Sequence, residues 1–310
     1  MKKLSCIVAL MLALMLVIAS VPAFAAADIP IDEKHFPDES FRQYIAELDD
    51  GDGVLTQAEC DKVTSMGIYS YDYEAGKVTS LKGIEYFPKL KSLEVEGFSG
   101  SVDLSKNTAL TNVTITFGNL TAINVKKNKN LKELWLDYNS LTKLDVSKNA
   151  KLTSLWVRGN RLSSLNVKKN TKLKYLDVGG NKLKSLNVTK NTKLTYLDCG
   201  RNKLSKLDVK KNTRLNYLVC NNNNLSKLDL SKNKKLKGLA VSGNKKLKKL
   251  DIAKCKTLQN AIKKKKLQDY DLPEGAMCWG IFFEGEMIEG LAISPFTKVT
   301  AGKKTLYKAK

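Results

Sequence analysis

Leucines recur through the middle of the chain at a spacing of 21 residues. One unit reads LKYLDVGGNKLKSLNVTKNTK from Leu173 to Lys193, and the next reads LTYLDCGRNKLSKLDVKKNTR from Leu194 to Arg214. In each unit, the L-x-x-L-x-[LVIC] half alternates apolar and polar positions, which predicts a short strand. About eight such units predict a solenoid whose coils share one core. The opening leucines are Leu90, Leu110, Leu131, Leu152, Leu173, Leu194, Leu215 and Leu236.

Two columns of asparagines follow the strand positions. Buried asparagines satisfy backbone groups that tight turns leave unpaired, so we expect both columns to be structural. The first column is Asn139, Asn160, Asn181, Asn202, Asn223 and Asn244. The second column is Asn107, Asn128, Asn149, Asn170, Asn191, Asn212 and Asn233.

The third, fifth, seventh and eighth residues of each unit are expected to point out of the sheet, on its concave face. Aromatic residues recur at these positions, and they predict an exposed aromatic band. Cross-strand aromatic pairs also stabilise sheets, but a contiguous exposed aromatic surface is typical of a contact site. The band comprises Trp135, Trp156, Tyr175, Tyr196 and Tyr217, with Tyr138 and Phe117 at the rim.

Charge is distributed unevenly between the faces. The chain carries a formal net charge of +22, and its lysines crowd the second half of each unit, as in LNVKKNTK. This pattern predicts a basic convex side, which is either simply solvated or binds anionic polymers. The concave positions carry no lysine, so we expect Asp177, Asp198 and Arg158 to orient a partner that is not a polyanion. Specific nucleic-acid binding is not expected, because the aromatic residues and the lysines lie on different faces.

Two cysteines, Cys199 and Cys220, occupy an inward-facing column of the predicted strands. Adjacent strands lie about 4.8 Å apart, which exceeds the roughly 3.5–4.5 Å that the Cβ atoms of a disulfide span. Two sulfurs alone do not complete a tetrahedral metal site. We therefore expect both side chains to behave as small hydrophobic groups. Cys255 and Cys278, near the end of the repeats, are a candidate disulfide pair.

The N-terminal region divides into a signal peptide at 1–25 and a helical cap at 26–62. The signal peptide has a basic start, an apolar run and an Ala-Phe-Ala cleavage site, which predicts export. Within the cap, LDDGDGVLTQAE resembles an EF-hand loop in which Asp50, Asp52 and Glu59 would be calcium ligands. Leu48 stands where the first ligand is expected. The loop either binds calcium weakly or is a relic that caps the solenoid.

The repeats are expected to span 63–254, followed by a small β cap and a basic tail at 255–310. His35 is the chain's single histidine, and we find no C-x-x-C pair, H-E-x-x-H motif or phosphate-binding glycine loop. The sequence therefore does not predict an enzyme. No segment after the signal peptide has the length and apolar character of a membrane span.

The 21-residue length, the LDVSKN second half and the inward cysteines resemble the repeats of internalin J-type leucine-rich-repeat proteins. The resemblance implies a mainly β solenoid with a curved parallel sheet, secretion or surface display, and a role in adhesion. It names no partner, because such scaffolds serve many. We expect a secreted interaction protein that binds a protein or a glycan through the concave aromatic band. The alternatives are electrostatic binding through the convex lysines and an unrecognised enzyme.

Overall fold

The computed structural model describes residues 28–69, 77–264, 287–288, 291–292, 298–301 and 304–307. The predicted signal peptide lies outside these residues. In the described part of the chain, no helix has the length and apolar character needed to cross a membrane.

Two short helices precede the repeats. The first helix begins after Asp38, whose carboxylate accepts a hydrogen bond from the Phe41 N–H at 2.9 Å, and it buries Phe41 and Ile45. The second helix begins at a capping box, in which Thr56 and Glu59 each accept a hydrogen bond from the other's N–H. The elements of this region are β1 (Ile29–Pro30), α1 (Glu39–Ala46), β2 (Val54–Leu55) and α2 (Gln57–Lys62), with β1 and β2 antiparallel.

The repeats form a parallel β-solenoid, as the leucine spacing predicts. Nine strands, one for each coil, pair side by side in parallel in the order β3, β4, β6, β8, β9, β10, β11, β12 and β13. Strands β5 and β7 form a separate parallel pair in the first coils. The strands are β3 (Ser65–Tyr69), β4 (Ser92–Glu96), β5 (Ser99–Asp103), β6 (Asn112–Thr116), β7 (Asn119–Asn124), β8 (Glu133–Trp135), β9 (Ser154–Trp156), β10 (Tyr175–Asp177), β11 (Tyr196–Asp198), β12 (Tyr217–Val219) and β13 (Gly238–Ala240). A 3-10 helix at Ile84–Tyr86 lies between β3 and β4.

The remaining described elements follow the last repeat. Strand β16 (Leu291–Ala292) pairs in parallel with β13 and extends the long sheet, whereas β17 (Lys298–Ala301) pairs in parallel with β14 (Lys249–Asp251) in a separate three-stranded sheet. They are β14 (Lys249–Asp251), α3 (Lys256–Lys264), β15 (Met287–Ile288), β16 (Leu291–Ala292), β17 (Lys298–Ala301) and β18 (Lys304–Tyr307). The boundaries expected for the two caps stay predictions.

The core runs continuously along the solenoid. The leucines that open the repeats are fully buried, as are the inward residues of the strands. Both asparagine columns are buried too, and their side chains bind the turns. In the first column, Asn181 accepts from the Leu162 N–H at 3.0 Å and donates to the Val157 carbonyl at 2.8 Å. In the second, Asn191 donates to the carbonyls of Val167 and Asn170, both at 2.9 Å. The structural role expected for the asparagines follows from these contacts.

Candidate functional site

The sheet aligns the outward residues of successive repeats. Trp135 lies beside Trp156 in the strand register, and Trp156 lies beside Asp177, which lies beside Asp198. In the neighbouring column Tyr175, Tyr196 and Tyr217 lie in line in the same way. The columns predicted from the 21-residue spacing are therefore present, because parallel strands in register stack equivalent positions directly above one another.

Three rings of these columns pack against each other. The centroids of Trp135 and Trp156 are 5.3 Å apart, and those of Trp156 and Tyr196 are 5.6 Å apart. Trp156 belongs to β9 and Tyr196 to β11, and β10 lies between these strands. The indole of Trp156 therefore reaches across β10, and its N–H donates to the Ser154 hydroxyl at 2.7 Å.

This packing contradicts the expectation of a fully exposed aromatic band. Trp156 is 3% exposed and Tyr196 is 6% exposed, so both rings are buried. Trp135, Tyr175, Tyr217 and the rim residue Tyr138 are half-buried. The expectation was wrong for two rings because an indole is wider than the strand spacing, so it covers its neighbours instead of standing free.

Arg158 binds two buried carboxylates on the same face. Its Nη1 atom lies 3.1 Å from Asp177 Oδ2 and 2.5 Å from Asp198 Oδ2. Each aspartate also accepts a backbone hydrogen bond through Oδ1, from Gly179 and Gly200 respectively, at 2.8 Å. Both aspartates are only 3% exposed. The three residues predicted to orient a partner therefore bind each other.

Asp137, one coil earlier, completes this cluster. Its Oδ1 accepts from the Arg158 backbone N–H at 2.6 Å. Burial raises the pKa of Asp137 to about 7, and the hydrogen bond from Arg158 only partly opposes that rise. Burial, and then the charge of Asp198, raise the pKa of Asp177 well above its usual value. Burial alone would lower the pKa of Arg158, but the two aspartates raise it above its usual value. Arg158 therefore stays charged and holds the cluster together.

Gly179 makes room for the cluster, and it was not among the predicted site residues. A Cβ atom there would lie 3.0 Å from Arg158 Nη1, 3.0 Å from Asp198 Oδ1 and 3.1 Å from Asp177 Oδ1. These distances are tighter than ordinary contacts, so any larger residue would push the charged groups apart. The Gly179-Gly180 pair in its repeat is the sequence signal that could have indicated this close approach.

Two aromatic residues at the rim adopt a left-handed backbone conformation. Phe117 has φ 54° and Tyr138 has φ 56°, whereas Gly159 and Gly180 occupy the equivalent position in the next two coils. The two rings stack with centroids 5.2 Å apart and planes inclined by 12°. Phe117 is 42% exposed. A side chain in this conformation costs about 1 kcal/mol relative to glycine, so the rim carries exposed aromatic surface at an energetic cost.

Comparison with known proteins identifies the fold. The family model described as Leucine Rich repeat matches residues 169–186. The crystal structure of the internalin InlF from Listeria monocytogenes aligns with a TM-score of 0.55 at 22% identity, covering 76% of this chain and 84% of InlF. The chain folds as an internalin-like leucine-rich-repeat solenoid.

A second solved structure is the functional domain of InlJ from Listeria monocytogenes, which is described as including a cysteine ladder. It aligns with a TM-score of 0.42 at 25% identity over 75% of this chain. This chain covers 65% of the length of that InlJ chain. No curated protein sequence matches the chain.

The EF-hand-like loop before the internalin-like solenoid gathers three carboxylates. Asp49, Asp50 and Asp52 have ligand atoms within 4.8 Å of one another. Asp49 was not predicted, and its Oδ2 accepts from the Gly53 N–H at 2.9 Å. Glu59 accepts hydrogen bonds from the backbone and hydroxyl of Thr56, which lower its pKa. The structure thus unites two of the three predicted ligands with Asp49, while Glu59 caps α2. Calcium binding stays a prediction.

The described cysteines of the solenoid are buried free thiols. Cys199 and Cys220 are fully buried, and burial is the main reason that the pKa of each thiol is raised. Cys255 follows the second asparagine column, and its Sγ lies 3.7 Å from the Leu230 carbonyl oxygen and 3.6 Å from that of Asn233. Cys278, the candidate disulfide partner of Cys255, lies outside the described residues.

The single histidine lies in the N-terminal region. His35 Nδ1 is 2.7 Å from Asp32 Oδ1, and the same oxygen accepts from the His35 backbone N–H at 3.0 Å. This local contact orders the turn before α1.

Proposed function

We propose that this protein is a secreted or surface-associated interaction protein that binds a protein or glycan through the concave face of its solenoid. The observation that carries the proposal is the row of half-buried aromatic side chains on alternate strands of the parallel sheet, β8, β10 and β12. Trp135, Tyr175 and Tyr217 belong to this row, and Tyr138 and Phe117 lie at its rim. Tryptophan and tyrosine contribute strongly to binding hot spots, and the rigid sheet fixes their spacing.

The buried members of the predicted site have a supporting role in this proposal. Trp156 packs against Trp135 on one side and Tyr196 on the other, and Arg158 binds both Asp177 and Asp198. These contacts fix the side chains of neighbouring coils in one arrangement. A preorganised surface loses less conformational entropy on binding. The cluster therefore supports affinity without touching the partner.

Arrays of glycans and of extracellular proteins test the proposal. The mature chain is compared with Trp135→Ala and Tyr175→Ala variants. Tyr86→Ala is the matched control, because Tyr86 is a half-buried aromatic residue at the 3-10 helix, away from the sheet. We expect the specific signal to fall at least about tenfold in the two face variants and to persist in the control. Equal binding by all variants would place the site elsewhere. Trp156 is unsuitable for this test because its removal would leave a cavity.

A second candidate function rests on the exposed lysines of the repeats. Lys168, Lys169, Lys190, Lys210 and Lys211 are all exposed, and the chain carries a net charge of +22. These side chains suit anionic polymers of a cell envelope or a host surface. Retention on polyglycerol-phosphate beads should fall steeply between 0.05 M and 0.5 M salt, since screening shortens the range of charge attraction. Retention that is indifferent to salt would rule out this candidate.

A further inference from the structure

Three neighbouring coils near the N-terminal end of the sheet, those of β4, β6 and β8, present acidic side chains on their outward face. The outward residues of β4, β6 and β8 include Glu94, Glu96 and Glu133, and none of their outward residues is a lysine or an arginine. Glu94 is exposed, and Glu96 and Glu133 are half-buried. Lys91 and Lys132 immediately precede β4 and β8 and mark the edge of this surface, which we call the N-terminal acidic face.

These carboxylates differ from the buried aspartates of the later coils. Within residues 28–69 and 77–264, Glu94, Glu96 and Glu133 take part in no ion pair. Glu133 accepts one hydrogen bond, from the Asn112 amide at 3.0 Å. Lysines elsewhere in the chain do find acidic partners, as in the Lys210–Asp229 pair at 3.1 Å. The acidic face thus presents three carboxylates that have no ion-pair partner among these residues, on a strongly basic protein.

Aromatic rings border the same surface. Trp135 lies beside Thr114 in the register between β6 and β8, and Phe117 follows the end of β6. One side of the Phe117 ring stacks on Tyr138. Gly97 follows β4 at the place equivalent to Phe117, because Glu96 pairs with Thr116, so this position of that coil carries no side chain. The Phe117 side chain is 42% exposed. A guanidinium group stacks favourably on exposed ring surfaces of this kind.

We propose that the N-terminal acidic face binds an arginine-rich segment of a partner protein. This inference rests on the proposed function and names the chemistry of its partner. Carboxylates receive the guanidinium groups through paired hydrogen bonds, and the Phe117 ring offers a stacking surface beside them. A polyanion would be repelled by the same carboxylates.

Fluorescence anisotropy with labelled nona-arginine tests the inference on the mature chain. The test variant is Glu94→Gln/Glu96→Gln/Glu133→Gln. The matched control is Asp145→Asn/Asp208→Asn/Asp229→Asn, which makes the same charge change at three exposed aspartates off this face. We expect affinity to fall at least about fivefold in the test variant and to stay within about twofold in the control. An equal loss in both variants, or no loss in either, would overturn the inference.

A second comparison tests the aromatic part of the surface. Phe117→Gly removes the ring and suits the left-handed backbone, so the variant should fold at least as well as the wild type. We expect it to weaken nona-arginine binding more than nona-lysine binding, because the flat guanidinium stacks better than an ammonium group. If the variant weakens binding of both peptides equally, the Phe117 ring does not contribute to selection of arginine over lysine.

The outcomes separate this inference from the proposed function. The Trp135→Ala variant could lose binding of the array partner while the variant with the three Glu→Gln changes keeps it. In that case the proposed function stands, and the inference that the partner is arginine-rich is refuted. If the triple glutamine variant loses both nona-arginine and the array partner, both are supported. Sedimentation that shows a dimer, abolished in the same variant, would assign the face to self-association and overturn the inference.

Discussion

The guanidinium group of Arg158 binds the carboxyl groups of two aspartates that have almost no contact with water. A buried charge that loses its partner is far more costly than an exposed one, because nothing replaces the water it gave up on folding. Asp177 and Asp198 each retain one backbone hydrogen bond without the arginine. The arginine thus contributes to stability mainly by preventing an uncompensated pair of like charges.

We therefore expect Arg158→Met to lower the free energy of unfolding by about 3–5 kcal/mol, measured by urea denaturation. Arg161→Met is the control, since Arg161 is exposed and should change stability by less than about 0.5 kcal/mol. Adding Asp177→Asn and Asp198→Asn to the Arg158 variant should restore part of the loss. A loss that persists unchanged in the triple variant would show that the charges are not its cause.

Asp137 predicts how stability depends on pH. In the folded protein the Asp137 carboxyl group keeps its proton up to about pH 7. In the unfolded chain an aspartate loses its proton near pH 4. Between these values the folded state binds more protons, so the free energy of unfolding should fall as pH rises. Asp177 acts in the same direction. Urea melts from pH 4 to 8 check this, and Asp137→Asn should flatten the slope. A slope of equal steepness in the variant would contradict the assignment.

For the side chains of the concave face, the sequence predicts which residues are neighbours but not which of them are buried. The alignment of Trp135 with Trp156 follows from the 21-residue spacing, because the register of the strands is set by the leucines. The exposure of Trp156 does not follow from it. That depends on the rotamer of the indole and on its contact with Tyr196 two coils away. The Arg158 contacts depend in the same way on the reach of a long side chain.

Each coil is held to its neighbour by asparagines as well as by the sheet. In the second column the Nδ2 atoms donate to two carbonyls of the preceding coil, while the Oδ1 atoms have no hydrogen-bond partner among the described residues. The column thus serves as a series of donors. Cys255 occupies the next place in that column and contacts the same kind of carbonyls through a thiol.

This arrangement predicts a graded mutational series at Asn191. Asn191→Ala removes two buried hydrogen bonds and should cost about 2–3 kcal/mol of unfolding free energy. Asn191→Cys keeps a weak donor in the place that Cys255 fills naturally, so it should cost less. Asn187→Ala is the control, because Asn187 is exposed. Urea denaturation ranks the variants, and a cysteine variant less stable than the alanine variant would refute the donor role.

The molecule as a whole places one continuous core under a sheet that spans every coil. The fold could be predicted from sequence because the same spacing of apolar residues and asparagines recurs in each repeat. A repeat that departs from the pattern can therefore be aligned by its neighbours. The predicted positions of Leu173, Asn191 and Cys199 inside the coils hold for this reason. The outward residues of the sheet change from coil to coil, so the repeat pattern does not predict how their side chains pack.

Thiol reactivity should report the integrity of the whole solenoid. Cys199 and Cys220 are buried and their pKa values are raised, so few thiolates are available to react. We expect a maleimide or disulfide reagent to label these two positions slowly in the native protein and rapidly in urea. Mass spectrometry of the labelled peptides distinguishes them from the other cysteines. Fast labelling of either peptide without denaturant would contradict this expectation.

The asparagine contacts also impose a direction on assembly. In both columns the amides reach toward the N-terminus, to carbonyls of the coil already passed. A chain that emerges from a ribosome or a secretion channel presents its N-terminal coils first. Each new asparagine then meets acceptors that are already in place, and the growing end is the single incomplete coil. Shortening the chain from its C-terminus should therefore leave a folded remnant, whereas removing the first coils should strip the next asparagines of their acceptors.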